Sequence, residues 1–280
     1  MVALTGLERV SGAATRPRAW RGVVFLLAGA YFLIPLCTSF WYTVYTPTVG
    51  VSPAAYGELL TADGFVRSLS LSLGLAVATI ALVLLLALPA MLAVRLFAPR
   101  LRPVMEVLCT LPLVVPPITF VAGIGTSLRI GTEVLAPTPF WATLIAVQDP
   151  AFPVVLVLAY MVLVLPFVYR SLDAGLRTMD VRTLVEAARN LGASWPYVLV
   201  RVIVPNLRSA LASASFLTLA LVLGEYTVAS LLGYEPFAVW IVTVSGSKGQ
   251  LSVAVSILSL LLIWLLLLAV STVFGKEKGK

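Results

Sequence analysis

Six long apolar runs restrict the folds open to this chain more than any other feature of its sequence. A helix of about 20 apolar residues crosses the hydrocarbon core of a bilayer, where only helices and closed barrels satisfy their backbone polar groups. The sequence therefore predicts an all-α integral membrane protein of about six transmembrane helices. The predicted parts are an N-terminal segment 1–19, a membrane domain 20–275 with spans near 20–44, 68–95, 104–128, 151–172, 209–233 and 251–274, and a tail 276–280.

The composition excludes several functions. Only 11% of the residues are charged and 60% are hydrophobic, whereas about a quarter are charged in an ordinary soluble domain. The chain has no histidine, and Cys37 and Cys109 lie in separate apolar runs, so a histidine-containing zinc site and a Cys–His nucleophile are excluded. We interpret both thiols as packing or lipid-facing groups. Without a phosphate-binding glycine loop, we expect no catalytic residue, cofactor or metal in this chain.

The distribution of basic residues predicts the orientation of the chain. The formal net charge is +7, but the basic residues lie at the ends of the apolar runs, which argues against a nucleic-acid partner. If 96–103 and 173–208 share one side with both termini, sixteen Lys and Arg lie there and three, Arg67, Arg129 and Lys248, lie opposite. Cytoplasmic loops carry the excess of Lys and Arg. We therefore predict a multi-pass protein of the cell inner membrane with both termini cytoplasmic.

Prolines and small residues predict local features of the spans. Pro112, Pro116 and Pro117 in the third span, and Pro166 in the fourth, remove backbone donors, and we expect them to kink those helices. A run of small residues near the start of the fifth span predicts a close helix–helix seam. Its members are Ala210, Ala212, Ser213, Ala214 and Ser215.

The predicted cytoplasmic loop 173–208 has the pattern of two short helices. Asp180 is a candidate N-cap, and Val185, Ala188 and Leu191 recur at three-residue spacing on one face. Gly192 then has the position of a glycine that ends a helix. Ser194 and Pro196 can begin a second helix, with proline in its first turn.

A motif within this loop resembles a known family. Glu186, Ala187 and Ala188 are followed after three residues by Gly192, and nine residues later by a run of three β-branched residues and a proline, Val202, Ile203, Val204 and Pro205. This spacing resembles the EAA loop of binding-protein-dependent ABC importer permeases, which have a MetI-like transmembrane domain. The family has isoleucine and leucine where this chain has Val202 and Val204. The resemblance covers about residues 68–275.

The resemblance implies a type I ABC importer permease fold and a set of partners. In similar proteins the EAA loop forms a coupling helix that docks on a separate ATPase. Two such ATPases bind ATP and magnesium, a second permease completes a homodimer or heterodimer, and an extracytoplasmic solute-binding protein delivers the substrate. The residues implied in coupling are Glu186, Ala187, Ala188, Arg189, Gly192, Ala193, Ser194 and Pro205. Arg189 is a candidate partner for an acidic group on the ATPase, and an ordinary interfacial helix is the alternative for this loop.

Glu225 is an acid within the predicted fifth span, where an ionisable group is costly and often functional. With Tyr226 and Thr227 it is a candidate for the translocation pathway. The alternative is a structural carboxylate that holds a dimer or a break in the span.

Two further functions remain open. A proton-coupled secondary transporter would use Glu225 as its proton carrier, and a membrane-embedded enzyme is the third possibility. The run that begins at Gly224 and includes Glu225 resembles permeases of the polyamine, ferric-ion, thiamine and phosphonate branch, some of which pair two different permeases. Because the predicted outer loops carry Glu58, Asp63, Glu133, Asp149 and Glu235, a polyamine or another small cation is the substrate hypothesis.

Overall fold

The structure, a computed structural model, describes residues 18–47 and 50–275. It contains two compact units, Met1–Pro53 and Ala54–Lys280. Nearly all of the predicted N-terminal segment 1–19, and the whole of the predicted tail, lie outside the described residues.

The described part of the first unit is one long helix followed by a short hairpin-like pair. Helix α1 (Arg18–Val44) coincides with the first predicted span and contains Pro35. Strand β1 (Tyr45–Thr46) pairs antiparallel with β2 (Gly50–Val51), with Tyr45 opposite Val51. Gly50 has a φ of 82°, which glycine adopts without a Cβ clash.

The second unit is helical throughout its described elements. Short 3₁₀ turns cover Leu59–Thr61, Pro99–Leu101 and Leu111–Leu113, and a π-helix covers Val198–Ile203. The helices are α2 (Ala54–Glu58), α3 (Phe65–Phe97), α4 (Arg102–Thr110), α5 (Pro117–Val134), α6 (Phe140–Val147), α7 (Val154–Arg177), α8 (Val181–Asn190), α9 (Trp195–Tyr197), α10 (Val204–Asn206), α11 (Arg208–Gly224), α12 (Thr227–Leu231), α13 (Phe237–Ser245) and α14 (Gly249–Gly275).

The predicted all-α membrane fold is confirmed. By length and composition, four described helices can cross a bilayer, namely α1, α3, α7 and α14, and two bent helix pairs raise the number of candidate spans to six. Helix α7 extends to Arg177, so the loop predicted to begin at residue 173 begins at Thr178 instead. Pro166 lies inside α7 without interrupting it.

Two predicted spans are not continuous helices. The third, near 104–128, turns by 97° between Pro99–Leu113 and α5. The reason is that Pro116 and Pro117 lack backbone donors and Pro116 adopts an extended conformation at ψ 137°. The fifth, near 209–233, ends at Gly224, and α12 is a separate short helix. An 82° turn also separates the segment Trp195–Asn206 from α11.

The core of the second unit lies where α3, α7 and α11 pack against one another. Leu75, Leu156, Leu172 and Leu176 are fully buried there. Helices α7 and α11 approach so closely that a Cβ placed on Gly175 would lie 2.4 Å from the Cβ of Ala210. Ala210 belongs to the predicted small-residue seam, and the structure shows that its counterpart on α7 is Gly175.

A smaller hydrophobic cluster packs α13 against the beginnings of α3 and α14. Phe237 and Trp240 of α13 pack with Leu59, Leu251 and Val255. The indole Nε1 of Trp240 donates to the carbonyl oxygen of Asp63 at 3.0 Å, and the backbone N–H of Phe237 donates to Ser72 Oγ at 2.7 Å. Both hydrogen bonds join α13 to the beginning of α3, which fixes the short helix against the bundle.

We expect Gly175→Ala to destabilise the bundle, because the new methyl group has no space between α7 and α11. Overpacking of this kind costs about 1–3 kcal/mol. The effect is measured as a melting temperature of the purified protein in detergent, with the fraction of protein that remains monodisperse as the readout. Gly123→Ala on α5 is the matched control, since nothing lies within 4 Å of its Cβ position. Equal melting temperatures for the two variants would contradict the close approach.

Candidate functional site

The first helix of the loop, α8, is fixed at its start by Asp180. The Oδ1 atom of Asp180 accepts from the backbone N–H of Thr183 at 3.2 Å, and Oδ2 accepts from the Thr183 hydroxyl at 2.7 Å. This is the N-cap that the sequence predicts, and it satisfies a backbone donor in the first turn. The same hydrogen bonds hold the pKa of the Asp180 carboxyl below its ordinary value.

The end of α8 turns sharply at Gly192. This residue has a φ of 85°, in the left-handed region that favours glycine. Arg189 stabilises the turn, because its Nη1 donates to the carbonyl oxygen of Ala193 at 2.8 Å and its guanidinium lies 5.5 Å from the ring centre of Trp195. Arg189 therefore makes two contacts inside the loop. The sequence instead suggests an acidic group of the ATPase as its partner.

The two faces of α8 differ in burial. Val181 and Val185 are buried against the core, but Leu191 lies past the helix at the turn and is 89% exposed. The sequence places Leu191 on one helix face with Val185 and Ala188, but α8 ends at Asn190, and Leu191 at the turn does not share the buried environment of Val185. Exposed side chains on the outer face include Glu186, which accepts from Arg182 Nε at 2.8 Å.

The other motif residues lie along the same surface. Ala187, Ser194 and Pro205 are exposed, and Ala188 and Ala193 are half-buried against the core.

The second half of the loop packs firmly on the bundle. Ser194 and Pro196 begin α9, as the sequence predicts. The chain then continues as a π-helix, which the sequence pattern does not predict. Val198 and Ile203 of this π-helix are buried. The ring of Trp195 meets the ring of Phe97 edge to face at 5.5 Å between centres. The loop therefore contacts the end of α3 directly.

A buried carboxylate joins three helices beside the loop. Asp173 of α7 is 7% exposed, and the guanidinium groups of Arg95, Arg102 and Arg177 all bind it. The shortest contacts to its oxygens are 2.5 Å from Arg95 Nη2, 3.1 Å from Arg102 Nη2 and 2.7 Å from Arg177 Nε. Arg95 Nη1 also donates to the carbonyl oxygen of Leu176 at 2.8 Å. We call these four residues the Asp173 cluster.

The sequence did not predict the Asp173 cluster. Its three arginines were counted only as evidence for orientation, since their spacing in the chain gives no sign that they meet. A usable signal was present in Asp173 itself, an acid that directly follows an apolar run on the side rich in arginine. Such an acid has to be paired when it is buried.

Glu225 occupies a break between two helices. It follows α11 in an extended conformation with ψ 120°. Its Oε1 accepts from the N–H of Val228 at 2.9 Å, and Oε2 accepts from the N–H of Ala229 at 3.2 Å. Glu225 thus lies between two helices, whereas the sequence places it in the middle of the fifth span. The hydrogen bonds match the structural alternative, a carboxylate that holds a break in the span.

The surroundings of this break are partly buried. Thr227 is half-buried and Tyr226 is exposed. Among the described residues no group of three or more His, Cys, Asp or Glu side chains could hold a metal ion.

Comparison with known proteins identifies a family for most of the second unit. The family model described as "Binding-protein-dependent transport system inner membrane component" matches residues 100–276. The matched region includes α4, the Gly192 turn, Glu225 and α14, and it confirms the resemblance inferred from the EAA motif. A search of the curated proteins found no match to this chain.

We expect Asp173→Asn to destabilise the protein strongly, because it removes the buried negative charge that Arg95, Arg102 and Arg177 share. Breaking a buried ion pair in this way costs about 3–5 kcal/mol, measured as thermal unfolding in detergent. Glu186→Gln is the control, since it breaks the exposed pair with Arg182, whose expected contribution is about 0–1 kcal/mol. A melting temperature for Asp173→Asn like that of Glu186→Gln would show that the Asp173 cluster does not stabilise the bundle.

Proposed function

Because this chain belongs to the family of binding-protein-dependent transport system inner membrane components, and is therefore a permease component of an ABC importer, we propose that its loop 178–207 couples the membrane domain to a separate ATPase. The observation that supports this most directly is the α8–Gly192–α9 turn. It carries the EAA motif and exposes Leu191 beside it.

The exposed side of the turn has the chemistry of a docking surface. Leu191 is 89% exposed and directly follows Asn190, whose side chain is also exposed. A single exposed apolar residue is common on protein surfaces, so what distinguishes Leu191 is its position at the turn that carries the EAA motif. We infer that Leu191 inserts into a groove of the ATPase, whereas Arg189 keeps the turn rigid from inside.

The other side of the turn can transmit a displacement to the bundle. Val185 and Val198 are buried against the core, and Trp195 contacts Phe97 at the end of α3. Close-packed interiors transmit movement because they contain little free space. A push on Leu191 would therefore reach α3 through Trp195 and α11 through the segment that ends at Leu207.

Family membership also implies the partners. Members work with an ATPase and a binding protein at the inner membrane. We propose in addition that two ATPases, which bind ATP and magnesium, assemble with this chain and a second permease, and we favour a heterodimer. The excess of Lys and Arg on one side supports cytoplasmic termini and a cytoplasmic loop.

For the pathway, we propose that the substrate passes the break between α11 and α12, with Glu225, Tyr226 and Thr227. Glu225 acts there by holding the backbone of α12, since both of its oxygens accept backbone N–H groups. The acids of the predicted outer loops support a polyamine or another small cation as the substrate. The binding protein would supply most of the selectivity.

Substitutions at Gly192 test the coupling proposal. Since nothing lies within 4 Å of the Cβ position, Gly192→Val acts through backbone strain alone, about 1–2 kcal/mol in the left-handed region. We expect Gly192→Val to lose most of the ATPase that co-purifies with the wild type, while the strain lowers the melting temperature of the bundle by no more than about 2–8 °C. Gly192→Asn is the control, because asparagine tolerates this conformation. Equal ATPase recovery with both variants would reject the loop as the coupling element.

Substitutions at Glu225 test its structural role. We expect Glu225→Gln to keep most of the transport, since the amide oxygen still accepts a backbone N–H, and Glu225→Ala to lose both transport and stability. A buried donor left unpaired costs about 1–3 kcal/mol. Transport in proteoliposomes with the ATPase and binding protein, together with thermal unfolding, measures both effects. Loss of transport in a stable, assembled Glu225→Gln variant would show that the charge itself is required, as for a proton carrier.

A further inference from the structure

Helix α4 has an apolar face that the described chain leaves uncovered. The stripe consists of Val104, Val107 and Leu108 of α4 and Leu111 of the 3₁₀ turn that follows it, all more than 50% exposed. Their spacing of three, one and three residues places them on one stripe of a helix. On the opposite side Arg102 binds Asp173 and Cys109 is buried, so α4 is attached to the bundle by one face only.

Helix α4 is too short to cross a membrane by itself and is sharply bent away from α5. It has nine residues, or about 14 Å at 1.5 Å per residue, too short for a hydrocarbon core of about 30 Å. Helix α5, with 18 residues, is about 27 Å long by the same rise. Since the two segments meet at 97°, α4 lies near the membrane plane if α5 crosses the membrane.

Positive charge is concentrated beside the beginning of α4. The three arginines of the Asp173 cluster share a single carboxylate, which leaves an excess of two positive charges. Arg100 lies two residues before Arg102 in the chain, and Arg170 lies three residues before Asp173. Both are exposed, and neither forms an ion pair with a carboxylate of the described residues. Glu106 is the one acid of α4, and it lies one turn beyond Arg102, away from the apolar stripe.

We propose that α4 lies in the headgroup layer of the cytoplasmic leaflet and that Arg100, Arg102 and Arg170 bind the phosphate of an anionic phospholipid. An exposed apolar stripe beside a basic edge is the pattern of a helix that rests in a membrane interface. Basic sites between helices on the cytoplasmic side bind anionic headgroups. Because Arg102 also binds Asp173, a lipid at this site would contact the cluster that joins α3, α4 and α7. This inference concerns lipid and goes beyond the proposed transport function.

Native mass spectrometry of the full chain, extracted from nanodiscs of phosphatidylcholine and phosphatidylglycerol, tests the charged part of the site. We expect wild type to retain phosphatidylglycerol in preference, and Arg100→Gln and Arg170→Gln each to lower its retention about fivefold, from about 1 kcal/mol per basic residue near a membrane surface. Arg129→Gln, which removes an exposed arginine from α5, is the matched control with unchanged retention. Equal retention in all four proteins, or displacement of the lipid by excess inorganic phosphate, would overturn the proposal.

A spin label on the apolar stripe tests the position of α4. The label is placed at Val107→Cys in a Cys37→Ser background, in which the remaining Cys109 is buried, and the protein is reconstituted in vesicles that contain phosphatidylglycerol. We expect this label to be more accessible to oxygen than to a water-soluble nickel complex. A label at the exposed loop position Asn190→Cys should show the reverse order. A label at residue 107 that is accessible to nickel, or shielded from both reagents as contact with a second copy would make it, would reject the lipid site.

Discussion

The bundle depends on the Asp173 cluster, because a buried carboxylate must be neutralised and three arginines from different elements do so. The carboxylate comes from α7, and the guanidinium groups come from α3, from the first turn of α4 and from α7 itself. A hydrophobic contact at this point would tolerate sliding of one helix past another, whereas directional charge-assisted hydrogen bonds specify a single register. The C-terminal ends of α3 and α7 are therefore tied together next to the place where the loop begins.

The loop and the cluster act on the same region. Only Thr178 and Met179 separate Arg177 from the N-cap Asp180, so α8 begins shortly after the cluster in the chain. Trp195 contacts Phe97, which lies two residues after Arg95. The coupling surface that we propose is thus supported by the aromatic contact of Trp195 with α3, and it begins just after the ionic contact between α3 and α7. This arrangement explains how a short loop can remain well defined although its outer face is exposed.

Much of this organisation could be predicted from local patterns. Apolar runs predicted the membrane helices, the cap at Asp180 and the turn at Gly192 predicted α8, and the EAA spacing indicated the family that the comparison confirmed. The remainder depends on contacts between residues far apart in the chain. Arg95 and Asp173 are 78 positions apart, and hydropathy cannot distinguish a broken span from a straight one. For that reason the sequence leaves open whether Glu225 lines a pathway or holds a break, and only the structure shows that its carboxylate accepts backbone N–H groups of the next helix.

The contact between Gly175 and Ala210 restricts how such a bundle can change shape. Because no space is left for even one methyl group where Gly175 meets Ala210, α7 and α11 have to move together as a rigid pair. Rearrangement is then concentrated at the two ends of α11. These are the 82° turn before Arg208 and the non-helical residues after Gly224, which serve as hinges.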